Sequence, residues 1–247
     1  MVVACALLPP APGEDVSVAL ALVNSLITGP ASEVDQLAAP VEVARWIQSR
    51  DLGSVTAAQV SVADVIALAG LRAAIRELFT AAADEREPDV SAVSRVNADA
   101  RLVLGAPALQ WTAGPPVQRW QAQRPDTAAN ALALIARDAI EIVCGPLGPV
   151  IHHCEAHGCV RMFFRTHRRR RWCSNTCGDR VRVARHYLAH KALARKPGKQ
   201  ARSAGESDLD AMDLADLGVV LDDPGPAIPD HPLIRHAVAD GDRLSVE

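Results

Sequence analysis

Apolar residues recur every three or four positions through most of the first two thirds of the chain, the spacing that lines up one face of an α-helix. Residues 16–27 form a short apolar segment that reads as a helix stopped by Gly29 and Pro30. In 40–50, Val43 and Ile47 share a face, with Trp46 beside them. Ser61 followed three residues later by Asp64 is a capping box, and the helix it opens runs to about Ala83 with Leu68, Leu71, Ile75 and Leu78 at helical spacing. A shorter helix is predicted over 89–98. Asp126 is placed to cap another, with Leu132, Ile135, Ala139 and Ile142 on its buried stripe and Gly145-Pro146 at its end.

Between these helices the period changes. Residues 101–104, 108–112 and 117–120 are short segments broken by Gly105, Pro107, Gly114, Pro115 and Pro116, a pattern that suits a small β-meander. Residues 145–150 read as a hinge. After Lys196 a linker begins, marked by Pro197, Gly198, Ser203 and Gly205. The last stretch, 203–247, holds 11 acidic residues against Arg235 and Arg243 and is expected to be largely disordered, with a turn or two of helix near 209–217. The predicted organisation is a helical domain over 1–149, a compact module over 150–197 and an acidic tail over 198–247.

Composition adds two constraints. Hydrophobic residues are 49% of the chain but aromatics only 3%, so the core must be built from Ala, Leu, Val and Ile. No apolar run reaches membrane-spanning length, and residues 1–8 lack the basic start of a signal peptide, so a cytoplasmic location with reduced thiols and no membrane partner is expected. The net charge of −3 hides a sharp division. Residues 151–202 carry 14 Lys+Arg against Glu155 and Asp179, an excess of +12, which leaves −15 on the rest. Such asymmetry points to a nucleic-acid-binding segment on an acidic body.

Four of the six cysteines lie inside that basic segment: Cys154, Cys159, Cys173 and Cys177, spaced C-x4-C, thirteen residues, C-x3-C. Two close pairs separated in this way suit tetrahedral coordination of one structural zinc ion by four thiolates, with no open position for chemistry. Gly158, just before Cys159, sits where such a turn needs unusual backbone angles. The same residues also admit two disulfides in an oxidising compartment, or an iron–sulfur cluster, and His157 is the alternative ligand should one cysteine not serve. Cys5 and Cys144 are isolated and read as ordinary small apolar residues.

The runs Cys154-Glu155-Ala156-His157-Gly158-Cys159, Arg171-Trp172-Cys173-Ser174 and Cys177-Gly178-Asp179-Arg180 resemble the CGNR zinc finger. The residues ahead of it resemble the helical domain called ABATE, a family named for stress-induced transcription regulation. The carriers there are Val18-Ala19-Leu20-Ala21-Leu22-Val23-Asn24-Ser25, similar to L-A-L-D-x-V-N-T, and the helix containing Leu71, Arg72, Ile75, Arg76 and Glu77. The resemblance covers about residues 16 to 195 and implies a regulator that binds nucleic acid. Two positions depart from it: Asp179 stands where the finger has Asn, and Ala21 where the first helix has Asp.

In the finger, a hairpin is expected over 160–172, with Phe163, Phe164 and Trp172 on the zinc side and its turn at 166–170. That tip would present Arg165, His167, Arg168, Arg169, Arg170 and Arg171. A helix should follow Cys177, capped by Ser174 or Asn175 and running to about Arg195, an order resembling a treble clef. At 100° per residue, Arg182, Arg185, His186 and Lys196 share one face, while Val181, Ala184, Tyr187 and Leu188 share the other. Arg180 falls on the apolar side and reads as structural. The function expected is a DNA-binding transcriptional regulator with a sensing or assembly domain. The alternatives are an RNA-binding protein, in which exposed Phe163 or Phe164 would stack bases, and a module docking an acidic protein. Arg72 and Arg76, one turn apart on an apolar helix, are candidates for a small anionic effector, and self-association is a further candidate. No G-x-S-x-G, P-loop, H-E-x-x-H or dinucleotide fingerprint occurs, so no enzyme is expected.

Overall fold

The computed structural model describes residues 9–29, 32–111 and 115–194, and its body is a helical assembly around one aliphatic core. Four apolar-striped helices do most of the packing: α1 (Val18–Val23), α2 (Pro40–Ser49), α3 (Val62–Ala83) and α5 (Ala128–Cys144), with α4 (Val90–Asp99) against α3 and α5. In α1, residues 19 to 23 are all buried, as befits a helix with α3 on one side and α5 on another. Ser61 and Asp64 form the predicted capping box of α3: Ser61 Oγ accepts from the Asp64 amide, and Asp64 accepts from the Ser61 amide. Such a cap contributes about 1 kcal/mol. Asp126 lies one residue outside the cap of α5. Thr127 caps that helix, and Asp126 Oδ1 instead accepts from the Ser54 amide.

Two short elements differ from their sequence patterns. The first helix stops at Val23, and Leu26–Gly29 becomes a strand, β1, paired antiparallel with β2 (Ser32–Asp35). Asn24 and Ser25 mark the break: Asn24 bonds across to Met162 of the finger, and Ser25 Oγ donates back to the Leu22 carbonyl while accepting from Arg72 of α3. The predicted meander is a two-stranded hairpin, β3 (Gly105–Gln110) with β4 (Val117–Ala122), and residues 101–103 form a turn rather than a strand.

Residues 145–150 are not a loose hinge. Leu147, Gly148 and Val150 are buried, and a short 3-10 turn at Gly148–Val150 packs against α3 and α5. The next strand, β5 (Ile151–His153), pairs antiparallel with β6 (Met162–Phe164). Successive residues of a strand point to opposite faces, and β6 is buried on both. Met162 and Phe164 join Ile151 in the core of the helical body, while Phe163 turns to a second cluster with Ala11, Ala156 and the cysteines. The last helix, α6 (Asn175–Ala194), starts against that second cluster. No helix among the described residues is long and apolar enough to cross a membrane.

Candidate metal centre and its basic surface

The turn of the β5–β6 hairpin carries the first pair of cysteines; of the second, Cys173 lies in the loop entering α6 and Cys177 in its first turn. Cys154 follows β5 directly, its amide donating to the Arg161 carbonyl, and the Cys159 amide donates to the Ala156 carbonyl. Gly158 holds the left-handed φ of +69° that this tight turn requires. Cys173 and Cys177 flank the start of α6, which begins at Asn175 with Ser174 as its cap: Ser174 Oγ accepts from the Cys177 amide at 3.2 Å. Cys177 therefore lies in the first helical turn, earlier than the sequence suggested, where the helix end favours a thiolate.

The four sulfurs lie within 4.8 Å of one another. Three separations are 3.7–3.8 Å: Cys159 to Cys173, Cys173 to Cys177 and Cys177 to Cys159. Zinc–sulfur bonds of about 2.3 Å in a tetrahedron place sulfurs about 3.8 Å apart, so the set fits one zinc ion. Without a cation, four thiols this close share protons unevenly. Hydrogen bonding from Cys159 pulls Cys154 down to about 7, and bonds from Cys154 and its neighbours pull Cys177 well below the ordinary thiol value. The same bonds push Cys159 and Cys173 well above it. The four cysteines would hold a divalent ion as thiolates, which would remove that competition for protons. His157 is exposed and outside the sulfur cluster, its carbonyl accepting from Arg180 at 3.1 Å, so Arg180 is held by a backbone carbonyl as a structural group. Gly178 allows Trp172 to close over the centre, since a Cβ there would lie 3.0 Å from the indole.

The hairpin predicted over 160–172 does not form, because β6 pairs backward with β5. Residues 165–171 are instead a loop beyond the sheet, anchored where the Glu155 amide donates to the Arg171 carbonyl. His167, Arg168 and Arg169 are exposed, and Arg165, Arg170 and Arg171 are half-buried. Arg171 also pairs with Glu155 at 2.5 Å. Phe163 and Phe164 are buried, Phe164 facing the helical body rather than the metal. On α6, Arg182, Arg185 and His186 are exposed, with Arg182 paired to Asp179. Of the face expected to pack, only Val181 and Leu188 are partly covered. Ala184 and Tyr187 stand in solvent, because the helix runs past the body instead of along it. Lys196 lies outside the described residues, as do Cys5 and the acidic tail.

Residues 151–190 match the CGNR zinc finger, and residues 17–146, more than half of the chain, match the model described as “ABATE: Putative stress-induced transcription regulator”. The chain belongs to the ABATE family. Among curated proteins, none matches it significantly.

The contacts between the ABATE helices and the finger run through Glu14 and Arg161, which the sequence pattern did not single out, and through Asn24 and Arg76, which it marked for other reasons. Asn24, in the opening motif of the ABATE domain, clamps β6 from both sides: its amide group donates to the Met162 carbonyl at 2.8 Å, and its oxygen accepts from the Met162 amide at 2.9 Å. The same amide group donates to Glu14, which pairs with buried Arg161 at 2.7 Å. Arg161 reaches onward to the Cys173 sulfur at 3.9 Å. Burial opposes the charge on Arg161, but bonding to Glu14 and the nearby cysteines more than offsets it, and its pKa is raised. Arg76 of α3 spans the junction, donating to the carbonyls of Val160 and Val23. Arg72 is buried and bonds both Asp35 oxygens and Ser25 Oγ. Both arginines proposed for an effector are thus engaged by protein groups. The Asn24-Ser25 step after α1 was the available signal for this junction.

Proposed function

We propose that this ABATE protein is a regulator that binds nucleic acid, duplex DNA in preference to RNA, through the finger. The observation that carries the reading is that Arg165, Arg168, Arg169, Arg170 and Arg171 share one loop between the two cysteine pairs, and Arg182 and Arg185 lie on the helix that carries Cys177. An excess of +12 over residues 151–202 far exceeds what a zinc centre with four thiolates needs for neutrality. Arginines of this kind bind phosphates with counterion release and supply affinity before they supply sequence preference. Zinc held by Cys154, Cys159, Cys173 and Cys177 would cross-link the β5–β6 turn to the start of α6. Four protein thiolates leave no position for a reacting water, so the reading is a non-enzymatic one. The cytoplasm, where thiols stay reduced, suits the site, and the helical domain serves for sensing or assembly.

RNA readers stack unpaired bases on exposed aromatics, and the two phenylalanines that would have served are only 1% and 2% exposed. Losing both as stacking platforms favours duplex DNA; Tyr187 of α6, 66% exposed, is the finger aromatic still open to a base. Selection of bound fragments from genomic DNA, with total RNA as competitor, tests the reading. Enrichment of duplex fragments supports it, and loss of all enrichment to RNA transfers the function to RNA.

A further inference from the structure

His186 and His190 are four residues apart on α6, and one helical turn brings their Nε2 atoms to 3.1 Å. The ring centroids are 4.3 Å apart with planes tilted by 48°, so the rings converge toward their nitrogen tips. Both side chains are exposed. With metal–nitrogen bonds of about 2.0–2.1 Å, a 3.1 Å separation corresponds to an angle at the metal of about 100°, between the octahedral and tetrahedral values. We propose that His186 and His190 form a second, exchangeable metal site, which takes one imidazole-preferring divalent transition-metal ion such as Zn2+, Ni2+ or Cu2+ and leaves the rest of its shell to water.

Each imidazole binds as the neutral ring, with its proton on Nδ1 and the Nε2 lone pair on the ion. Hard cations such as Mg2+ and Ca2+ prefer oxygen and are not expected there. The site differs in kind from the four-cysteine centre, being open to water and built from one element. Charge near it is tolerable: Arg182, one turn earlier on the same stripe, is already paired with Asp179, and Arg185 and Lys191 are exposed and solvated. The location also gives the ion structural work. From Arg182 to Lys191 only Leu188 is partly covered, so little packing holds this part of α6. A bidentate link across one turn stabilises helix that tertiary contacts do not. The proposal stands whether or not the finger binds nucleic acid.

The test is titration of zinc-loaded full-length protein with Ni2+ in a non-coordinating buffer, followed by calorimetry and by far-ultraviolet circular dichroism. H186Q and H190Q should each weaken the tightest added Ni2+ site by at least about tenfold, the loss of one of two ligands. The double variant, with neither imidazole left, should weaken it at least as far as either single variant, and all three should abolish the Ni2+-dependent gain in helicity. H190Q/K191H keeps the number of histidines but spoils their spacing, and should behave like H190Q. H153Q should leave the site intact. Unchanged Ni2+ affinity in the H186Q/H190Q double variant overturns the proposal. So does wild-type affinity in H190Q/K191H, which would make histidine number, not geometry, responsible.

Discussion

Arg161 shows how much one side chain can join in this molecule. Its guanidinium is buried, pairs with Glu14, reaches the Cys173 sulfur and also donates to the Pro9 carbonyl. Replacing it with Met leaves a buried carboxylate and a thiolate without their cation. Loss of one partner from a buried pair costs about 3–5 kcal/mol, and R161M should also release zinc faster to a chelator. Denaturant melts and zinc-transfer kinetics measure the two effects. Asp35 makes a related prediction. The Arg72 guanidinium holds its carboxyl below the ordinary value of 3.8, so the pair's contribution is fully present above that value and fades as pH falls through the lower folded-state value. D35N should therefore destabilise by about 3 kcal/mol at neutral pH. Its deficit relative to wild type should shrink below about pH 4, as paired denaturation curves would show. Neither arginine's partner could be named beforehand: Glu14, which pairs with Arg161, lies in the turn ahead of α1, and Asp35, which pairs with Arg72, lies in a strand where periodicity assigned no element.

At the scale of elements, helices with a clear apolar stripe and a cap were legible, and short strands were not. The Ser61 box, the stripe of α5 and the stop at Gly145 depend on neighbours a few residues away. Strand pairing depends on residues far apart. Met162-Phe163-Phe164 is apolar throughout, which is what a strand buried on both faces requires and also what a hairpin facing zinc would show. The difference is settled by Ile151–His153, which supplies the partner, and by Asn24, which binds the middle of the junction. Asn24 should accordingly matter more than an ordinary helix-end polar residue. N24A removes bonds to both backbone groups of Met162 and to Glu14, and should cost about 2–4 kcal/mol, since buried partners are left unsatisfied. Thermal melts of zinc-loaded protein would check it. The apolar positions of α6 were the other misreading: they follow the helical period, but among the described residues no surface lies opposite Ala184 and Tyr187.

For the molecule as a whole, the ligand set was readable because four cysteines at short spacing have few other uses. What sequence could not reveal is that the finger and helical body share a core. Ile151, Met162 and Phe164 pack with the aliphatic residues of α1, α3 and α5, so zinc and the ABATE helices are expected to be thermodynamically linked. Chelation should lower the unfolding temperature of the helical body itself, with one calorimetric transition in zinc-loaded protein, whereas an unchanged helical transition would mean independent units. The same linkage makes the basic surface depend on the metal. The most direct test is the affinity of zinc-loaded protein for duplex DNA measured by fluorescence anisotropy across a salt series, with zinc-stripped protein alongside. Log affinity should fall linearly with log salt, with a slope of about −4 to −6 from five or six phosphate contacts, and the curve without zinc should be shallower and weaker. A flat salt dependence, or binding indifferent to zinc, would contradict that expectation.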